Sequence, residues 1–204
     1  MADATVGAAA VPSGLVAGEI PRPPRTIVSV ATLPFVALAL IYLLVSVIGG
    51  WRWALTFAHV AFGAAWTIID LFLGLVIGPI LGRMPIRARL ELITRLMPKM
   101  SVIMPTVVVV TLVAGFQLGL QVGVLYSIHP YHAWILASFA VVGVMALIAL
   151  GINEPANLAV LFELRKPEPN LELVGQLMRR FIYTAGILGI MQLSILIIMA
   201  RVAS

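Results

Sequence analysis

Five apolar stretches, each long enough to cross a bilayer, divide this chain of 204 residues. They are Ile27–Ile48, Trp53–Leu81, Met100–Tyr126, Tyr131–Ile152 and Phe181–Ala200. About 20 apolar residues make a helix that spans the hydrocarbon core. Backbone N–H and C=O groups inside that core meet no water, so each stretch must pair them internally. The expected fold is therefore all-α, an integral membrane bundle of five transmembrane helices. Composition agrees: the chain is 62% hydrophobic and only 10% charged, where soluble domains carry about 25% charge. The second stretch is the longest and should tilt or project from the bilayer.

Residues 1–26 are small, polar and Pro-rich, with "IPRPPR" at their end. Such a segment cannot bury a core and reads as a flexible N-terminal tail. It lacks the apolar run of a cleavable signal peptide and the myristoylation pattern. Residues 27–204 then form a single five-helix transmembrane domain. There are no cysteines, which excludes disulfides, thiolate metal sites and iron–sulfur clusters.

The basic residues set the expected orientation. With five spans, the tail, the 82–99 connection and the 153–180 connection share one side. That side carries 11 of the 13 Lys and Arg residues, and only Arg52 and Arg201 lie on the other. By the positive-inside rule the N-terminus is cytoplasmic and the C-terminus outside, in a multi-pass protein of the cell membrane. The net charge of +5 thus has its source in topology, and no nucleic-acid partner is expected. The basic "GRMPIRARLELITRLMPK" loop should lie against anionic lipid. The segment after the fourth span, "GINEPANLAVLFELRKPEPN", should continue its helix, because Pro155 can kink without ending it. Pro167 and Pro169 then stop it. Glu154 and Asn157 should sit near the cytoplasmic boundary, where solvation is cheap.

Within "LTFAHVAFGAAWTIIDLF" (residues 55–72), Gly63, Trp66 and Asp70 fall within about 40° of His59 on a helical wheel. Ionisable groups inside a membrane normally face the bundle interior. The stripe should therefore point inward, with Gly63 leaving room beside His59. The plain reading of His59 is a hydrogen bond to a neighbouring helix. Asp70, near mid-membrane, needs a partner or a proton. No Lys or Arg lies at that depth, so Gln192, a hydroxyl such as Thr67, or a bound proton must serve. Asp70 is thus a candidate proton carrier.

Gly115, Gly119 and Gly123 repeat every fourth residue on the third span. Close helix packing is the usual use of that pattern. The same smooth face could lie against a flat macrocycle. All three histidines fall toward the outer side: His59 about two turns into its span, and His129 and His132 both within "SIHPYH". Two histidines on different helices can clamp a haem iron, and imidazoles also suit copper. Met104 would join a copper site.

At these residues the chain resembles a group of small helical membrane proteins, the HemJ-type protoporphyrinogen oxidases and CopD-type copper-resistance domains. The matching motifs are His59 and Trp66 in "HVAFGAAW", "IMPT" from Ile103, "TLVAG" ending at Gly115, His132-Ala133 in "PYHAW", and Arg179-Arg180-Phe181. They cover residues 53–200, a four-helix core to which the first span is additional. Two positions depart from the pattern. Trp134 stands where the oxidases have a Lys, and Tyr183-Thr184 stands near their Asn-Glu pair. What the resemblance implies is the bundle and a b-type haem held by membrane histidines, with His59 and His132 carried over.

Three functional classes follow. The first is a haem b protein handling electrons near the outer face. Its cofactor-binding residues would be His59, His132, Trp66, Gly63, Gly115 and Gly119, with His59 and His132 on the metal. The second is a copper-binding or copper-transporting protein using the same histidines. The third is a cofactor-free accessory subunit of a larger membrane complex, favoured by the lack of a soluble domain, a nucleotide motif or a complete catalytic set. No residue stands out as catalytic.

Overall fold

A computed structural model describes residues 27–126 and 131–203. Every regular element among them is helical. Five helices are long and apolar enough to cross a membrane. We number them α1 (Leu33–Ile48), α2 (Arg52–Arg83), α3 (Ile86–Val122), α4 (His132–Glu163) and α5 (Leu171–Ala203). The tail before residue 27 and His129 lie outside the described residues.

α2 has 32 residues, so it is about 48 Å long and exceeds a ~30 Å hydrocarbon core. α3 has 37 residues, and its N-terminal part is the supposed basic loop. That correction has a simple cause. Leu90, Ile93, Thr94 and Met97 are buried at helical spacing, while Arg87, Arg95 and Lys99 are exposed. An amphipathic helix satisfies both sets. Only Met84-Pro85 separates it from α2, with Met84 in an extended conformation. α5 likewise begins ten residues before the stretch expected from hydropathy. Beyond the expected end of the fourth span at Ile152, α4 does continue through Pro155 and ends at Glu163, ahead of Pro167 and Pro169.

Both α2 and α4 contain a widened π turn, at Phe72–Ile77 and Ala149–Asn153. Each stands just ahead of a proline, Pro79 or Pro155, in the first turn of the α-helix that resumes. A proline lacks an N–H and crowds the carbonyl four residues back. The wider turn accommodates that loss within a continuing helix, and such turns gather at functional sites.

The helices pack in three layers. On the basic side, Leu90, Ile93, Met97, Leu161, Met178 and Ala185 belong to one buried cluster. The middle layer joins Trp66, Val107, Val108, Met145 and Leu188. The far layer joins Ala39, Leu43, Leu55, Ala58, Val110 and Ala114. α3 is the common support, contacted by α1, α2 and the last part of α4, while α5 packs on α2 and α4. Outward faces stay apolar: Leu38, Ile48, Leu147 and Ile197 are each about 70% exposed or more. This is the surface a lipid-embedded bundle requires.

α2 and α5 approach backbone to backbone. A Cβ added to Gly74 would lie 2.5 Å from Gly186 Cα, and one added to Gly78 would collide with Ile182. "GLVIG" at 74–78 therefore is a small-residue packing motif, and it holds together the helices that carry Asp70 and Gln192.

Candidate functional site

The stripe on α2 divides into two environments. At its N-terminal end, His59 is half-buried and its Nδ1 lies 2.9 Å from the Thr111 carbonyl oxygen. A carbonyl only accepts, so Nδ1 carries the hydrogen. In the neutral ring, Nε2 then keeps its lone pair. The ring is seated on Gly115: a Cβ there would lie 2.6 Å from His59 Cε1 and Nδ1. Room for His59 thus comes from Gly115 on α3. Gly63 faces Thr111 Cγ2 instead.

The remaining residues of the expected cofactor pocket lie elsewhere. Trp66 is 2% exposed and belongs to the middle core layer. Gly119 faces Leu125 and Val124, and Gly123 ends α3 in the left-handed region at φ 77°. His132 begins α4, with Nδ1 3.3 Å from the Val124 carbonyl oxygen.

Donor chemistry fits a metal at either histidine, because a ligating imidazole commonly donates its other N–H to a backbone carbonyl. The two histidines are tied to different carbonyls, His59 to Thr111 within α3 and His132 to Val124 in the turn after it. The glycine face meant for a macrocycle is filled by the His59 ring and by the turn after α3. Among the described residues there is no group of three or more His, Cys, Asp or Glu able to hold a metal.

At the C-terminal end of the stripe the polar groups converge. Asp70 is 1% exposed, and Gln192 Nε2 of α5 donates to its Oδ2 at 3.1 Å. Thr67 turns away and donates to the Gly63 carbonyl of its own helix. The Trp66 indole N–H bears on the Asp70 carboxyl from one turn away, outside strict hydrogen-bond geometry.

Asp70 lines a small cavity with Asn153, Glu154 and Asn157 of α4 and with Met100 and Met104 of α3. Its free volume, about 10 Å³ for the centre of a water-sized sphere, holds one such particle. Thr184 of α5 donates to Asn153 Oδ1. Asn157 donates to the Met97 carbonyl at 3.4 Å, also bears on Glu154, and is itself 1% exposed. Among the described residues, two buried acceptor oxygens have no hydrogen-bond partner, Asn157 Oδ1 and Gln192 Oε1.

Asn157 is therefore enclosed and Glu154 half-buried, where solvation of both was expected. The π turn at 149–153 and the continuing helix turn them into the bundle. The sequence did carry a signal for this, the polar run "NEPAN" inside an otherwise apolar span. Met104 belongs to this cavity and not to either histidine.

No protein-family model, no curated protein and no solved structure matches the chain. The likeness to HemJ-type and CopD-type proteins therefore rests on the sequence motifs alone.

Proposed function

We propose that this is a multi-pass membrane protein that holds and passes protons within its bundle, with Asp70 as the central proton-binding group. One observation carries the reading. Asp70 is almost fully enclosed near mid-membrane, has one amide donor in Gln192, and shares a cavity with a second carboxyl, Glu154. An ionised carboxylate without a cation is costly in such surroundings. A proton on Asp70 removes that cost, and Gln192 Oε1, otherwise unpartnered, is an acceptor beside it.

The polar side chains are staggered along the helices. Gln192 and Asp70 lie deepest, Asn153 and Thr184 follow, and Glu154 and Asn157 lie nearer the basic side. In the proton reading, Glu154 exchanges with the basic side and Asp70 receives. Placing that side in the cytoplasm rests on the distribution of Lys and Arg. Anionic lipid against the basic start of α3 belongs to the same proposal.

Counting protons tests it. After a pH jump in weakly buffered detergent solution, a pH indicator should report one proton fewer bound by Asp70→Asn than by the wild-type protein. Glu154→Gln should retain the Asp70 proton but take it up more slowly. Equal proton counts for wild type and Asp70→Asn would contradict the reading.

A second reading is favoured by His59. Its Nδ1–H is fixed on Thr111, so Nε2 is oriented as a ligand for haem b. His59 would then act without His132. Protein made with ample haem should show a b-type absorption spectrum that His59→Ala loses. Metal without that spectrum would point to copper. A colourless, metal-free protein would leave His59 as a packing residue, and its co-purification with fixed partners would support an accessory subunit.

A further inference from the structure

A groove of about 530 Å³ runs between α1 and α2, and the proton reading makes no use of it. Small-molecule sites have volumes of about 300–1,000 Å³, so a ligand-sized body fits. The small side chains Ala39, Ser46 and Ala54 are buried along it, while Leu38, Ile41 and Phe57 stand exposed beside them. Small residues set between large ones make the depression. The two hydroxyls in its lining are already spent. Tyr42 donates to the Ala54 carbonyl at 3.3 Å, and Ser46 donates to the Tyr42 carbonyl at 2.7 Å. Between its ends, the groove therefore offers contact to hydrocarbon.

The two ends differ. At one, Phe35 and Phe62 stack with ring centroids 6.2 Å apart. At the other, Trp51 and Trp53 line the groove where the two helices join. That turn is held in place. Gly50 has φ 63°, the Trp51 N–H donates to the Ser46 carbonyl at 3.2 Å, and a Cβ on Gly49 would lie 2.9 Å from Trp51 Cε2. Arg52 stands between the two tryptophans in the chain, is exposed, and has no ion pair among the described residues. Residues 27–69 contain no Asp or Glu and no other Lys or Arg. One uncompensated positive charge thus marks the tryptophan end.

Length and charge identify the occupant. On α1 the lining runs from Phe35 to Ser46, a rise of about 16 Å. Half of a ~30 Å hydrocarbon core is about 15 Å, the depth taken by one leaflet's acyl chains. Tryptophans gather at the membrane–water interface, which puts Arg52 at the level of lipid headgroups. A guanidinium binds phosphate through charge-assisted hydrogen bonds. We propose that the α1–α2 groove holds one acyl chain of an anionic phospholipid whose phosphate meets Arg52. This site is separate from the basic start of α3 and independent of the proton reading.

The test uses the full-length Trp134→Phe protein in detergent, because Trp51 and Trp53 are then its exposed tryptophans and Trp66 is enclosed. Phosphatidylglycerol with brominated acyl chains is titrated in, and quenching of tryptophan fluorescence is followed. Quenching should saturate at one lipid per protein. Diacylglycerol carrying the same brominated chains should bind about tenfold more weakly, because it lacks the phosphate contact. Arg52→Gln should abolish that difference. Ile41→Phe combined with Val45→Phe, at two exposed lining positions, should fill the groove and weaken both lipids by about tenfold or more. Quenching that rises with lipid without saturating, and that the double variant leaves unchanged, would overturn the site. Equal binding of the two lipids would overturn the phosphate contact at Arg52. A dimer in size-exclusion chromatography that the double variant dissociates, without saturable quenching, would overturn the lipid and give the groove to a second copy of this chain.

Discussion

Gln192 and Asp70 are 122 residues apart in the chain, and their side chains meet inside the bundle at 3.1 Å. Both are enclosed, so the contact ties α5 to α2 and sets which atom of each amide and carboxyl remains available. Gln192→Leu should destabilise the folded protein by about 1–3 kcal/mol, because it leaves a buried carboxyl without its donor. Adding Asp70→Leu to that variant should restore part of the loss, since removing both partners is cheaper than removing one. Thermal unfolding in a single detergent checks both variants. Strictly additive losses would argue that the pair does not interact.

The glycines at the α2–α5 crossing predict an asymmetry. A methyl on Gly74 would lie 2.5 Å from the Gly186 backbone, whereas one on Gly186 would meet Gly74 at an ordinary 3.8 Å. Gly74→Ala should therefore cost about 1–3 kcal/mol through overpacking. Gly186→Ala should be close to neutral, or slightly stabilising through helix propensity. Equal effects in unfolding measurements would contradict the crossing geometry.

His59 and Gly115 should behave as a unit. His59→Ala removes one hydrogen bond, worth about 0.5–1.5 kcal/mol. Gly115→Ala pushes the ring off its seat and should cost at least as much. In the His59→Ala background the Gly115→Ala cost should largely vanish, because the atoms that clash are gone. A Gly115→Ala cost that is independent of His59 would place the glycine's role elsewhere.

The five spans, their order and the inward face of α2 were legible in the sequence, because apolar length and ionisable residues in lipid each have one inexpensive solution. Gln192 was legible as a partner for Asp70 for the same reason: few polar groups exist at that depth. Three features were not. The helical start of α3 was hidden by its arginines, which hydropathy reads as a break and amphipathic packing does not. The cavity at Asn153–Asn157 depends on a π turn, which changes the helical face of every residue after it. The pairing of His59 with Gly115, and not Gly63, depends on how α2 crosses α3, which single-helix periodicity does not contain.

Orientation is open to a direct check. A reporter fused after Ser204 should be active outside the cytoplasm and inactive within it, given the concentration of Lys and Arg on the side of the 82–99 and 153–180 segments. Cytoplasmic activity of that fusion would reverse the direction in which protons reach Asp70.

That Asp70 holds a proton inside the bundle is tested most directly by infrared absorption of the purified protein in H₂O and D₂O. A protonated carboxyl gives a carbonyl stretch distinct from that of a carboxylate, and deuterium on the acid shifts it. Wild type should show such a band near neutral pH, Glu154→Gln should retain one, and Asp70→Asn should lose the component assigned to Asp70. A wild-type spectrum unchanged by Asp70→Asn would contradict the proposal.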